Sequence, residues 1–269
     1  GDYKLTTWAI DQLQNPPADK PLFLAVGYVK PHLPWYVPQE FFDRFPLDSI
    51  QLPAVKDDDL ADIPPAGVKM AGPEGDHVAV LKADQWKKGV QAYLATISFL
   101  DEQVGRLLTA LENSPRGKDT IVVWWTDHGW ALGEKQHWRK FALWNDTTHT
   151  SFAIAAPGVT TPGSKCSAPV DYTNIYSTLC ELTGVPLPDH VKAPSLVPLL
   201  KNPDAAWDHV AVCSHGRGNH AIIGAQHRYI RYANGDEELY DYRADPNEWK
   251  NLAADPALAE VKAKLAAHL

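Results

Sequence analysis

Residues Thr120–Trp130 read T-I-V-V-W-W-T-D-H-G-W. The apolar run from Ile121 to Trp125 is entirely β-branched or aromatic, which predicts a short strand buried on both faces. It stops at Thr126, and Asp127, His128 and Gly129 follow at once. Open α/β sheets place their ligand sites beyond the carboxyl ends of such strands. A carboxylate and an imidazole therefore stand side by side where chemistry is usually done, able to offer oxygen and nitrogen to a divalent cation. The structural alternative is a strand-end Asp that caps a turn and a His that satisfies backbone groups. Two ligands are too few for a metal site, so further ligands must come from elsewhere.

Working outward, Leu5, Trp8, Ala9 and Leu13 have helical spacing, and Asn15-Pro16-Pro17 ends that helix. Pro21 opens a predicted strand, Leu22–Tyr28. An α/β domain is expected to carry a strand before such a helix, so the N-terminal part of a larger domain is expected to be missing. Residues 30–75, rich in Pro and Asp, read as a long excursion with short elements at most. Asp84 through Leu111 is the clearest helix, with Asp84 as its expected N-cap. Phe152–Ala156 predicts another buried strand, and a helix is expected from Asp171 or Thr173 through Leu182. The Pro-rich residues 186–203 read as a crossing linker. From about Val210 short alternating runs appear, with Asn234-Gly235 as a hairpin turn between two of them, and residues 257–269 form a last Ala-rich helix. The division expected is an α/β domain over residues 1–203 and a small α+β subdomain over 204–269.

The balance of 25 Lys and Arg against 33 Asp and Glu gives a net charge of −8, which argues against a general nucleic-acid binder. An anionic small substrate stays open, because a few local cations dominate one pocket. The three cysteines, Cys166, Cys180 and Cys213, are far apart and form no C-x-x-C, so neither a zinc site nor a disulfide framework follows from them. No apolar run approaches a membrane span, and the N-terminus has no signal-peptide pattern.

Lys140, in G-W-A-L-G-E-K-Q-H-W-R-K-F, lies within one loop of Asp127 and His128. It is either a solvated lysine or a cation that neutralises an oxyanion beside a metal. His32, in K-P-H-L-P-W, sits between Pro31 and Pro34, whose restricted backbones would hold its ring at the sheet edge. Trp130 walls a pocket or packs on Leu132. His149 precedes a buried strand, as substrate contact or hydrogen-bonded structural residue. His220 follows Gly216 and Gly218, which allow close approach of a ligand or another segment.

P-L-F-L-A-V-G-Y-V-K-P-H-L-P-W, then F-L-D-E-Q-V-G-R-L-L, then T-D-H-G-W-A-L-G-E with W-R-K-F, resemble a type I sulfatase, nearest the iduronate-2-sulfatase-like branch. The ending E-E-L-Y-D-Y-R-A-D-P-N-E-W-K-N-L-A is similar to the end of the C-terminal subdomain in bacterial members. The resemblance implies an alkaline-phosphatase-like α/β fold: a mixed sheet between helices, then a small antiparallel sheet with a C-terminal helix. It implies hydrolysis of sulfate esters with Ca2+, or Mg2+ in its place. Asp127 and His128 match metal-ligand positions, Lys140 and His32 match residues on the sulfate, and Trp130 falls near the substrate sugar or alcohol. His149 and His220 are further candidates for substrate contact. The expected partner is a sulfated small molecule or glycan, with the missing N-terminal portion of the same protein as a second partner. The expected location is periplasmic, secreted or lysosome-like. One departure is marked. The family nucleophile is a formylglycine made from C/S-x-P-x-R, and no such motif occurs here. The formylglycine is expected in the missing N-terminal part, and the isolated chain is expected to be inactive. A phosphodiesterase or phosphonate hydrolase of the same superfamily, or a non-catalytic paralogue that binds sulfated glycans, are the competing readings.

Overall fold

A computed structural model describes all residues 1–269. In chain order the elements are α1 (Asp2–Gln14), α2 (Gln39–Asp43), α3 (Pro65–Ala71), α4 (Asp76–Lys82), α5 (Trp86–Glu112), β1 (Val122–Trp125), β2 (Ala131–Leu132), β3 (Trp138–Arg139), α6 (Asn145–Thr148), β4 (Phe152–Ala155), α7 (Asn174–Thr183), α8 (Val197–Lys201), β5 (Ala211–Ser214), β6 (His220–Ile223), β7 (His227–Arg231), β8 (Glu237–Asp241) and α9 (Ala259–Ala266). They form two compact units, one of residues 1–52 and 80–120, the other of residues 53–79 and 121–269. No helix is long and apolar enough to cross a membrane.

In the first unit, α1 and α2 pack on α5. Asp84 does not cap α5: its own φ is 50°, the helix starts after Gln85, and no side chain bonds the free N–H groups there. Its left-handed backbone takes its side chain out of the capping geometry. Leu22–Tyr28 is extended, with exposure alternating residue by residue, but it pairs with no strand. Phe23 is 84% exposed in consequence. Pro-Asp-rich residues 30–75 hold only short helices, as their lack of periodicity leads one to expect.

In the second unit, β1 pairs antiparallel with β4, Val123 opposite Ile154 and Trp125 opposite Phe152. These two strands form a sheet by themselves. The expectation that residues 121–125 are buried on both faces is therefore corrected. The strand is half-buried and Trp125 is 47% exposed, because a two-stranded ribbon has no neighbours to cover it. β5 to β8 form a four-stranded antiparallel meander in sequence order. Its β7–β8 turn is the predicted Asn234-Gly235, with Gly235 at φ 91°.

The meander is covered on both faces, and side chains alternate between them along each strand. Ala221, Ile230 and Tyr240 point to one face and pack with Leu143 and Trp144 and with Ile63 and Ala71. Ile222, Tyr229 and Leu239 point to the other and pack with Leu265 of α9. The first face thus carries the loop that follows Asp127-His128-Gly129-Trp130, and the second carries the last helix.

Candidate active site

Asp127 and His128 emerge from the end of β1, as the sequence leads one to expect. The turn they begin is stitched to α6. Gly129 N–H donates to Thr147 O at 2.9 Å and Trp130 N–H to Asp146 O at 2.8 Å. Only glycine fits at position 129, since a Cβ there would lie 2.1 Å from Asp146 O. The G of D-H-G-W is thus required by a close backbone approach.

The His128 ring is oriented by its own loop: Nδ1–H donates to Gly129 O at 2.7 Å. Its Nε2 lies 3.5 Å from Asp127 Oδ2. Two electron-pair donors held this close suit a cation, and a backbone carbonyl on the remote ring nitrogen is the usual orientation of a metal-binding histidine. Asp127 is 83% exposed, so its carboxylate can reach a ligand. Calcium takes six to eight oxygen-rich ligands, and the structure brings no group of three or more His, Cys, Asp or Glu side chains together, so the pair could supply only part of such a shell.

Trp130 is buried, with its ring centroid 5.9 Å from that of His128. β2 and β3 pair Ala131 with Arg139 and Leu132 with Trp138. The pairing ends at Arg139, whose φ is 76°, and Lys140 follows it with its Nζ 5.6 Å from the Phe141 ring centroid. Beyond Lys140, Phe141 is exposed while Ala142, Leu143 and Trp144 are buried.

His149 ends α6, exposed, its N–H donating to Asn145 O at 2.8 Å. Thr126 N–H donates to Ser151 O at 3.2 Å, so His149 leaves at the same end of the β1–β4 ribbon as Asp127. His220 is elsewhere. It lies opposite Ser214 in the β5–β6 register, on the meander face that carries α9, and its Nδ1 shares a 2.7 Å hydrogen bond with Ser214 Oγ. The neighbouring His215 takes the opposite face, with its ring 5.5 Å from that of Phe141.

His32 belongs to the first unit. Both flanking prolines, Pro31 and Pro34, follow cis peptide bonds. Buried Asp2 accepts the Val29 and Lys30 N–H groups at 3.1 and 2.9 Å, fixing the entry to the loop. His32 Nδ1–H donates to Leu33 O at 2.8 Å, which sets the ring and its tautomer.

Sequence reasoning missed the charged network behind the turn. Lys135 Nζ is buried against Asp59 Oδ1 at 2.8 Å and also donates to Glu248 O. Glu248 Oε1 accepts from Arg228 Nε at 2.6 Å, and its Oε2 from Asn145 N–H at 2.9 Å. Arg228 further donates to Leu143 O, Thr148 Oγ1 and Asn145 Oδ1. Nearby, Glu238 accepts from Trp144, Tyr232 and Tyr240, and its burial pushes its carboxyl up from the usual range. Nothing local marks these residues; G-E-K-Q and D-P-N-E-W read as solvated loops. Glu134, whose Oε2 accepts from Leu132 N–H at 2.6 Å, is also raised by burial.

Residues 2–185 match the family model described as Sulfatase, and residues 133–269 match one described as N-sulphoglucosamine sulphohydrolase, C-terminal. A Formosa agariphila protein named "Sulfatase" is 43% identical over 94% of this chain and 50% of its own length. Human iduronate 2-sulfatase is 30% identical over 80% of this chain and 44% of its own. The chain thus spans about half the length of the curated relatives it matches. A solved structure described as in complex with its substrate, D-glucosamine-2-N,6-O-disulfate, superposes with a TM-score of 0.83 at 20% identity, covering 100% of this chain and 68% of that one. The fold expected from the sequence, alkaline-phosphatase-like with a small C-terminal antiparallel sheet and helix, is the fold of these neighbours.

Proposed function

The chain belongs to the sulfatase family, and from that premise we propose that it carries part of a sulfuric-ester hydrolase site. The substrate is a sulfated carbohydrate or another alkyl or aryl sulfate. The observation that supports this reading is the family match over residues 2–185, with Asp127 and His128 at the end of β1 and Lys140 one residue past the short β2–β3 hairpin that follows Trp130. Asp127 Oδ2 and His128 Nε2 would hold Ca2+, with Mg2+ as the alternative. Bound there, the cation would draw off negative charge that builds on the sulfuryl oxygens. The Lys140 ammonium stabilises the same charge, and does so most effectively where water is excluded. Trp130 backs the turn as a wall. His32, which the family resemblance assigns to the sulfate, is the candidate for protonating the departing alkoxide, and its own ring is oriented by Nδ1–H donating to Leu33 O. His149, at the same ribbon end as Asp127, contacts the substrate from the side.

The family nucleophile comes from C/S-x-P-x-R, and none of the 269 residues stands in that motif. The chain alone is therefore expected to give no turnover of an aryl sulfate in the presence of calcium, because catalytic residues that act as a unit fail together. Turnover by the chain alone would overturn that expectation. The reaction class is tested on the complete gene product, with an aryl sulfate and an aryl phosphate ester side by side. Faster sulfate hydrolysis, with Lys140→Ala lowering kcat/KM about 100-fold, is the expected result. Faster phosphate hydrolysis would replace this reading with a phosphodiesterase or phosphonate hydrolase. Tight binding of a sulfated glycan without hydrolysis of either ester would replace it with a non-catalytic binder.

A further inference from the structure

The side chains that follow Lys140 differ sharply in their fate. Ala142, Leu143 and Trp144 are sealed against the meander, whereas Phe141 is 55% exposed. An aromatic ring left in solvent between a lysine and a buried tripeptide is the informative case, since burial was available one residue away. Phe141 is also positioned. Its ring lies 5.5 Å from the His215 imidazole at an interplanar angle of 37°, and Lys140 Nζ lies 5.6 Å from its centroid. His215 is held by the tip of the β5–β6 hairpin. Its N–H donates to Asn219 O at 3.1 Å, and its carbonyl accepts from Asn219 Nδ2 at 2.9 Å. Gly216 and Gly218, at φ 70° and 80°, allow the hairpin to make that tight return. The result is one ammonium group beside two rings tilted 37° to each other, one apolar and one able to hydrogen-bond.

We propose that Phe141 and His215 form the subsite for the sugar ring that bears the sulfate. This inference rests on the sulfatase reading of Lys140. A pyranose ring has a face of C–H groups and a rim of hydroxyls. The C–H face suits the Phe141 ring, and the rim suits the His215 imidazole. The spacing fits as well. A sulfate on Lys140 places the carbon skeleton it esterifies about one ring-width away, over Phe141. The ligand class is thus a sulfated pyranoside, in preference to a sulfated flat aryl group or a short alkyl sulfate. His215, which sequence reading passed over in favour of His220, supplies the polar edge.

The test uses the complete gene product in calcium-containing buffer, observed by ¹H–¹⁵N NMR. Inorganic sulfate, glucosamine 6-sulfate and a 2-O-sulfated hexuronate are titrated separately. The sulfated sugars are expected to perturb the amides of Phe141 and His215, which inorganic sulfate leaves in place. Phe141→Ala should weaken the sugars about tenfold and leave sulfate within about twofold; Phe141→Tyr should restore sugar binding. Lys140→Ala should weaken all ligands. If sugars and sulfate bind alike, and Phe141→Ala and His215→Ala affect neither selectively while Lys140→Ala weakens both, the subsite is wrong and the sulfate reading stands. If no ligand binds, or Lys140→Ala changes nothing, both fall. Because Phe141 is solvent-exposed, its alanine variant is expected to keep the wild-type spectrum away from the hairpin.

Discussion

At the scale of single residues, the turn after β1 is built from backbone demands that only certain side chains meet. Gly129→Ala would drive a methyl group onto Asp146 O, a backbone atom that cannot step aside. It should lower stability by more than about 2 kcal/mol, as read by urea unfolding, and loosen the Trp130 amide in hydrogen exchange. His137 gives a pH dependence of known sign. It is only 7% exposed, its Nδ1–H donates to Ala71 O at 2.9 Å, and burial holds its imidazole below the usual histidine range. Asp76 favours its charged form, whereas Arg139 and His215 oppose it. His77, whose Nδ1 accepts from Trp138 Nε1, is lowered by burial too. Both are depressed bases, so the unfolded chain takes up their protons first as pH falls. Their contribution is complete above about pH 6.5 and is lost as pH drops below it. The urea midpoint should therefore fall between pH 7.5 and pH 5.5, and His137→Gln should flatten that slope. An unchanged slope in the variant would remove His137 from the account. The D-H-G-W tetrapeptide was legible at this scale because each of its demands is local. His215 was not, since its role depends on a ring 74 positions away in sequence.

At the scale of elements, α5 and the β7–β8 hairpin were legible for the same reason. A period of 3.6 and an Asn-Gly turn are written within a few residues. What failed was pairing. Leu22–Tyr28 has strand composition and an extended backbone, but composition does not supply a partner strand. The burial predicted for β1 failed likewise, since it depends on how many strands flank it. The clasp between the meander and the site loop makes a sharper claim. Arg228→Ala leaves Glu248 charged and buried without its partner. Loss of about 3–5 kcal/mol is expected, whereas breaking the solvent-screened Lys264–Glu260 pair by Lys264→Ala should leave the denaturation midpoint unchanged. Chemical denaturation of the two variants decides between them.

At the scale of the whole molecule, the open strand-like segment in the first unit matters most for behaviour in solution. An unpaired strand-like stretch with Phe23 outward is a template for pairing with another chain. The chain should bind a hydrophobic dye and self-associate with rising concentration in sedimentation experiments. Phe23→Ser should reduce both; a monodisperse monomer with no dye binding would contradict this. The clasp has a further consequence in time. Lys135 and Asn145 are fastened by a residue that lies 113 and 103 positions downstream of them, respectively. Contacts of such range form late, because the loop they close must first be paid for in chain entropy. During synthesis the turn that bears Asp127 thus emerges from the ribosome long before Glu248, and a polypeptide cut short of Glu248 would hold that turn without the side chain that fastens Asn145 behind it.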